Sequence, residues 1–133
     1  MNVSFEGIGQ WCATFSGTEL PEGSVVKVSG AGEVSACEAG DAFCGAVAAG
    51  KKDACTVQLG GFVTVGYSGT VAPAIGYTAL EADGEGGVKA VEAAAGGTDG
   101  TESSAAGTSA AAAGRSYWVV DRDETAKTVT ILL

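Results

Sequence analysis

Residues 53–67, DACTVQLGGFVTVGY, decide the fold. Cys55, Val57, Leu59, Val63 and Val65 fall on one side of a period-two pattern, and Thr56, Gln58 and Thr64 fall on the other. That alternation is the signature of a half-buried β-strand. Phe62 is the one large apolar residue on the polar side. The Gly60-Gly61 pair interrupts the run where a strand interior loses packing and gains backbone freedom, so a bulge or sharp bend is expected there. A long strand bent in its middle can serve two sheets or turn the corner of a barrel.

Working outward, the same period recurs on both sides. Upstream, Trp11, Ala13 and Phe15 alternate as a strand, and residues 24–28 and 33–37 form two more around a Gly-Ala-Gly turn. Residues 43–48 lead through a hairpin turn at 50–53 into the bent stretch. Downstream, 67–73 reads as loop and 75–80 as strand, and the glycine-rich turn EADGEGG passes to a short strand at 88–91. Residues 117–121 and 127–133 close the chain, with Val129, Ile131 and Leu133 on one face. About eight to ten short strands, and no periodic helix longer than a few turns, predict an all-β small barrel or sandwich.

At 133 residues the chain is expected to be a single domain, 1–133, with an N-terminal arm over 1–10. Residues 93–114 contain only Ala, Gly, Ser, Thr, Asp and Glu. They offer no apolar anchor to offset the entropy of ordering, so this low-complexity insertion reads as a mobile loop unless a neighbouring subunit holds it.

The formal charge is −9, with seven Lys and Arg residues scattered among 16 Asp and Glu. Phosphate recognition needs clustered cations, so nucleic acid is excluded as an expected partner, and so is an anionic membrane surface. The N-terminal residues lack the basic and apolar regions of a secretory signal, which predicts synthesis in the cytoplasm. There Cys12, Cys37, Cys44 and Cys55 are expected as reduced thiols in small apolar sites, since their spacing fits neither a zinc site nor C-x-x-C.

Motifs for chemistry fail on their context. Residues 45–51, GAVAAGK, match the start of a phosphate-binding loop, but Lys52 replaces the magnesium-ligating hydroxyl and a strand follows in place of a helix. Gly7 and Gly9 begin a dinucleotide fingerprint that lacks its third glycine. With no His, acid–base work would fall to carboxylates, and the pairs Asp83 with Glu85 and Asp121 with Asp123 lie in stretches that read as hairpin turns. No enzyme activity, cofactor or metal site is expected. Trp11 and Trp118 are expected in the core, whereas Phe62 is a candidate for contact with a second sheet or a subunit.

Four segments in order, PEGSVVKVSGAGEV, DAFCGAVAAGKKDACTVQLGGFVTV, GYTALEADGEGGVKAV and TVTILL, carry a resemblance. Gly23, Val26, Gly45, Val47, Val57, Gly61, Val63, Gly76, Asp83, Gly87, Val88 and the end from Val129 to Leu133 occupy the places of its pattern. The chain resembles a family of small phage- and prophage-encoded β proteins similar in character to capsid (head) decoration proteins. The similarity runs from about Leu20 onward, outside the insertion, and the Trp-containing N-terminal segment departs from it.

The resemblance implies a non-enzymatic virion protein on the capsid exterior, a homo-oligomer with a trimer favoured, bound to the major capsid protein and stabilising the head. Under it Asn2, Val3, Ser4 and Phe5 form a capsid-contacting arm, with Phe62 as a further capsid or subunit contact. The alternative is a carbohydrate-binding β module of a tail or cell surface, with Trp11, Trp118 or Tyr67 stacking on sugar rings.

Overall fold

The structure, a computed structural model, describes residues 3–5, 7–91 and 115–133; Asn2 and the 93–114 insertion lie outside them. The first sheet holds β1 (Trp11–Ser16), β2 (Val25–Gly30), β3 (Glu33–Ala36), β4 (Gly45–Lys51) and β5 (Ala54–Gly60). It closes as a barrel in the order β1-β3-β2-β4-β5. The second holds β6 (Phe62–Gly66), β7 (Gly76–Ala82), β8 (Val88–Ala90), β9 (Arg115–Asp123) and β10 (Thr128–Leu132), in the order β6-β10-β9-β7-β8. The all-β expectation stands. That of one barrel or sandwich of eight to ten strands is corrected: there are two five-stranded sheets, and only the first is a barrel.

The physical cause sits at the Gly60-Gly61 break. Gly61 has φ +85°, a left-handed conformation, and β5 on one side pairs with β1 and β4 while β6 on the other pairs with β10. One bent stretch thus seeds two sheets. The open sheet's edges are drawn together by a single parallel bridge from Tyr67 to Val88, where Ser68 N donates to Val88 O at 2.9 Å.

The two sheets have separate cores, and two strands of the barrel, β2 and β4, contribute to both. Val26, Val34, Val47, Cys55 and Val57 fill the barrel, with Phe15, Leu20, Cys44 and Leu59 against them. Val65, Tyr67, Leu80, Val88, Tyr117, Val119, Val129 and Ile131 cover the inner face of the open sheet, joined by Val25, Cys37, Phe43 and Ala46 from the barrel side. Val25 and Val26 are neighbours in β2 and serve different cores, as do Ala46 and Val47 in β4, because successive strand residues point to opposite faces.

Direct bonds complete the junction. Gly40 N donates to Ala82 O and Ala82 N to Asp41 O, both at 2.9 Å, so the loop before β4 pairs with the end of β7. That loop is pinned by Asp41, whose carboxylate accepts from Lys27 Nζ and from Glu38 N. The Lys27 bond and then the Glu38 N–H hold the Asp41 carboxyl below its usual range. Phe43 stacks on Tyr117 with ring centroids 4.8 Å apart, and the Tyr117 hydroxyl donates to Phe43 O at 3.2 Å.

Several local expectations change. Trp11 and Trp118 are exposed, not core. A bulge between Trp11 and Cys12 turns Trp11 out of the inward alternation, and its indole lies over Gly60, where a Cβ would stand 1.8 Å from Nε1. Trp118 lies between the buried Tyr117 and Val119, so alternation sends it outward. Cys37 and Cys55 are buried as expected and Cys44 is half-buried, but Cys12 is exposed beside the same bulge. The phosphate-loop look-alike is strand β4. Among the described residues no helix is long and apolar enough to cross a membrane.

Candidate functional site

The outer face of the open sheet carries Trp118 and Tyr77, two of the three exposed aromatic side chains among the described residues. Registers place Phe62 opposite Leu132, Leu132 opposite Trp118, and Trp118 opposite Tyr77, a row of four side chains across β6, β10, β9 and β7. Their alternation partners Val63, Ile131, Val119 and Tyr117 turn toward the core, so the row faces outward. Leu132, Trp118 and Tyr77 are 36%, 54% and 65% exposed, and the Tyr77 and Trp118 rings lie 5.2 Å apart at 48°. Tilted aromatic pairs at that distance attract, by about 0.5–1.5 kcal/mol beyond area burial.

The N-terminal arm lies at the Phe62 end. Phe5 packs on Phe62 with centroids 5.0 Å apart, so two residues singled out from sequence are brought together within one chain. Val3, Ser4 and Phe5, together with Phe62, border a groove of about 570 Å³. Its other walls include Gln10, Gln58, Thr64, Asp121 and Thr130, and Asn2 lies outside the described residues.

The groove's polar groups form a second row behind the aromatic one. Thr64 is opposite Thr130, and Thr130 is opposite Asp121. The two threonine Oγ1 atoms share a hydrogen bond of 2.8 Å, which satisfies Thr130 although it is only 8% exposed. Gln58, 5% exposed, forms the floor. Its Nε2 donates to Gly60 O at 3.0 Å and Phe62 O at 2.8 Å, and its Oε1 accepts from Gln10 Nε2 at 3.1 Å. This glutamine ties the barrel, the glycine bend and the N-terminal segment together.

The sequence reading ended the strand at Asp121 and took the Asp121–Asp123 pair as part of a hairpin turn. Instead β9 runs through Asp123, which leaves Asp121 on the face of the sheet, and only Asp123 serves the turn by accepting from Thr125 N and Ala126 N. The neighbouring Arg122 is directed elsewhere, to Pro73 O at 2.7 Å and Glu124 Oε1 at 2.6 Å. The Asp121 side chain has no hydrogen-bond or ion-pair partner among the described residues. The other expected pair also separates by role. Asp83 Oδ1 accepts from Glu85 N and Gly87 N, and its Oδ2 from Ser68 Oγ, so its oxygens organise the β7–β8 turn.

Among the described residues no cluster of three or more His, Cys, Asp or Glu has the arrangement of a metal site. The sequence reading placed Trp118 in the core, with sugar stacking as its alternative role, because Tyr117, Trp118, Val119 and Val120 are all apolar and show no polar alternation; it gave Tyr77 no role. A usable signal lay in β10, where placing Val129 and Ile131 inward forces Leu132 outward. Comparison with protein-family models and with curated proteins gives no match.

Proposed function

We propose that the chain is a non-enzymatic structural protein of a phage or prophage particle, a head-decoration or head-stabilising protein that binds the major capsid protein. The observation that carries this reading is the row Phe62, Leu132, Trp118 and Tyr77, an outward-facing apolar band with exposed rings at Trp118 and Tyr77 and the N-terminal arm packed on its Phe62 end. Aromatic anchors on a preformed surface suit protein docking, where such residues supply most of the binding energy. The pattern of glycines and valines shared with phage β proteins supports the same reading. Assembly as a homo-oligomer, with a trimer favoured, on the capsid exterior belongs to the proposal.

Quantitative mass spectrometry of purified DNA-filled particles from the encoding phage or induced prophage tests it. A ratio of about one copy per major capsid protein is expected of a lattice-wide array. Absence from the particles overturns the proposal. Deleting residues 2–5, or combining Trp118→Ala with Tyr77→Ala, should abolish attachment while leaving far-UV circular dichroism unchanged.

A carbohydrate-binding module of a tail or cell surface is the second reading, favoured by the exposed Trp118–Tyr77 pair. Trp11 is also exposed, but Tyr67 is buried in the open sheet's core, which withdraws its ring from such a surface. Glycan-array binding accompanied by a change in tryptophan fluorescence would establish this reading over the first.

A further inference from the structure

The described walls of the groove beside the aromatic row hold one carboxylate together with hydroxyl and amide groups. Asp121 brings a carboxylate without a partner among the described residues, and Thr64 and Thr130 bring hydroxyl oxygens. Gln58 has turned both N–H groups of its amide inward, to Gly60 O and Phe62 O, leaving its oxygen toward Gln10. Among the described residues the lining contains no Lys or Arg, in a chain of formal charge −9. Phe5 and Phe62 provide ring faces at one end.

A complementary ligand therefore brings positive charge, several donors and a flat surface. A guanidinium has five N–H donors and no acceptor, pairs with a carboxylate in a fork, and stacks on aromatic rings. Lysine supplies the charge without the plane. A sugar hydroxyl is both donor and acceptor, and it leaves the groove's carboxylate uncompensated.

We propose that this groove receives an arginine side chain of a partner protein, its guanidinium pairing with Asp121 and lying against Phe5 and Phe62. The inference rests on the reading of the chain as a docking protein, and it names the chemistry the partner must present. Arginine at this place sets register, while the aromatic row supplies the bulk of the contact.

The test is an NMR titration of the full ¹⁵N-labelled chain with acetyl-Gly-Arg-Gly-amide, and with the Lys and Gln counterparts. Shifts should be confined to the amides of Phe62, Thr64, Asp121, Thr130 and their neighbours, follow the order Arg, Lys, Gln, and weaken with added salt. Asp121→Asn, an exposed substitution, should lower the arginine affinity by at least about tenfold, the effect of one lost charge-assisted contact. Absent shifts, equal shifts with the Gln peptide, or shifts unchanged in Asp121→Asn overturn the proposal. So do groove shifts produced by a neutral oligosaccharide and not by the arginine peptide. Particle occupancy separates the two failures: a wild-type chain absent from particles rejects the docking function, whereas an Asp121→Asn chain that loads at wild-type level rejects only the arginine site.

Discussion

Gly61 lies so close to Gly9 that a Cβ on Gly61 would stand 2.5 Å from the Gly9 carbonyl carbon. The approach lets the N-terminal segment cross the bend between the sheets, where Phe62 N donates to Ile8 O and Leu133 N to Gly61 O. Position 61 must therefore have both a left-handed φ and no side chain.

Gly61→Ala should destabilise the protein by about 2–4 kcal/mol, the sum of the left-handed backbone cost and the collision with backbone. Gly23 has nearly the same φ, +86°, with nothing near its would-be Cβ. Gly23→Ala should cost only the backbone part, about 1–2 kcal/mol. Urea denaturation of both variants checks the difference, and equal losses would contradict the close crossing.

Two buried tyrosines should respond to hydroxyl removal with opposite signs. The Tyr67 hydroxyl is buried without a hydrogen-bond partner among the described residues, whereas that of Tyr117 donates to Phe43 O. Tyr67→Phe should be neutral or stabilising by up to about 1 kcal/mol, and Tyr117→Phe should cost about 1 kcal/mol. Thermal melts of the two variants side by side give the comparison. Loss of stability in Tyr67→Phe would show that its hydroxyl is paired.

The thiols predict both reactivity and an alkaline limit. Burial, followed by the Asp41 charge, pushes the Cys37 thiol from 9.0 up to about 11, and burial raises Cys44 as well. An elevated folded-state value means that the unfolded chain releases its proton first. The stability contribution of Cys37 is thus complete below pH 9 and is lost as pH rises from 9 to about 11. The urea midpoint should fall across that window, less steeply in Cys37→Ala. At pH 8 iodoacetamide should label the exposed Cys12 first and reach Cys37 and Cys55 only on unfolding, as read by peptide mass spectrometry.

The Trp118–Tyr77 pair should matter more for attachment than for stability. Each ring is more than half exposed, so Trp118→Ala and Tyr77→Ala should each cost less than about 1 kcal/mol, with a coupling of about 0.5 kcal/mol in a double-mutant cycle. Wild-type capsid binding by the double variant would remove this face from the docking surface.

The strands around residues 53–67 were legible because the alternation of Cys55, Val57 and Val65 with Thr56 and Thr64 is local, and so is the glycine interruption that divides them. Phe62 was legible as an outlier for the same reason. Its partners were not. Leu132 reaches it through antiparallel pairing across 70 residues, Trp118 only through Leu132, and Tyr77 through β9 again. The strand was ended two residues early, at Asp121, because the Asp–Arg–Asp sequence resembles turn composition, while the ladder with β10 carries it through Asp123.

The sequence by itself determined the all-β class, the bend at Gly60-Gly61 and the inward faces of most strands, because periodicity and glycine freedom act over a few residues. Tertiary structure alone decided that the bend separates a closed barrel from an open sheet, that β2 and β4 serve two cores, and that an aromatic row with a polar groove stands on the outer face. These follow from strand partners distant in the chain, whose choice depends on burying two faces at once and leaves no local trace in composition.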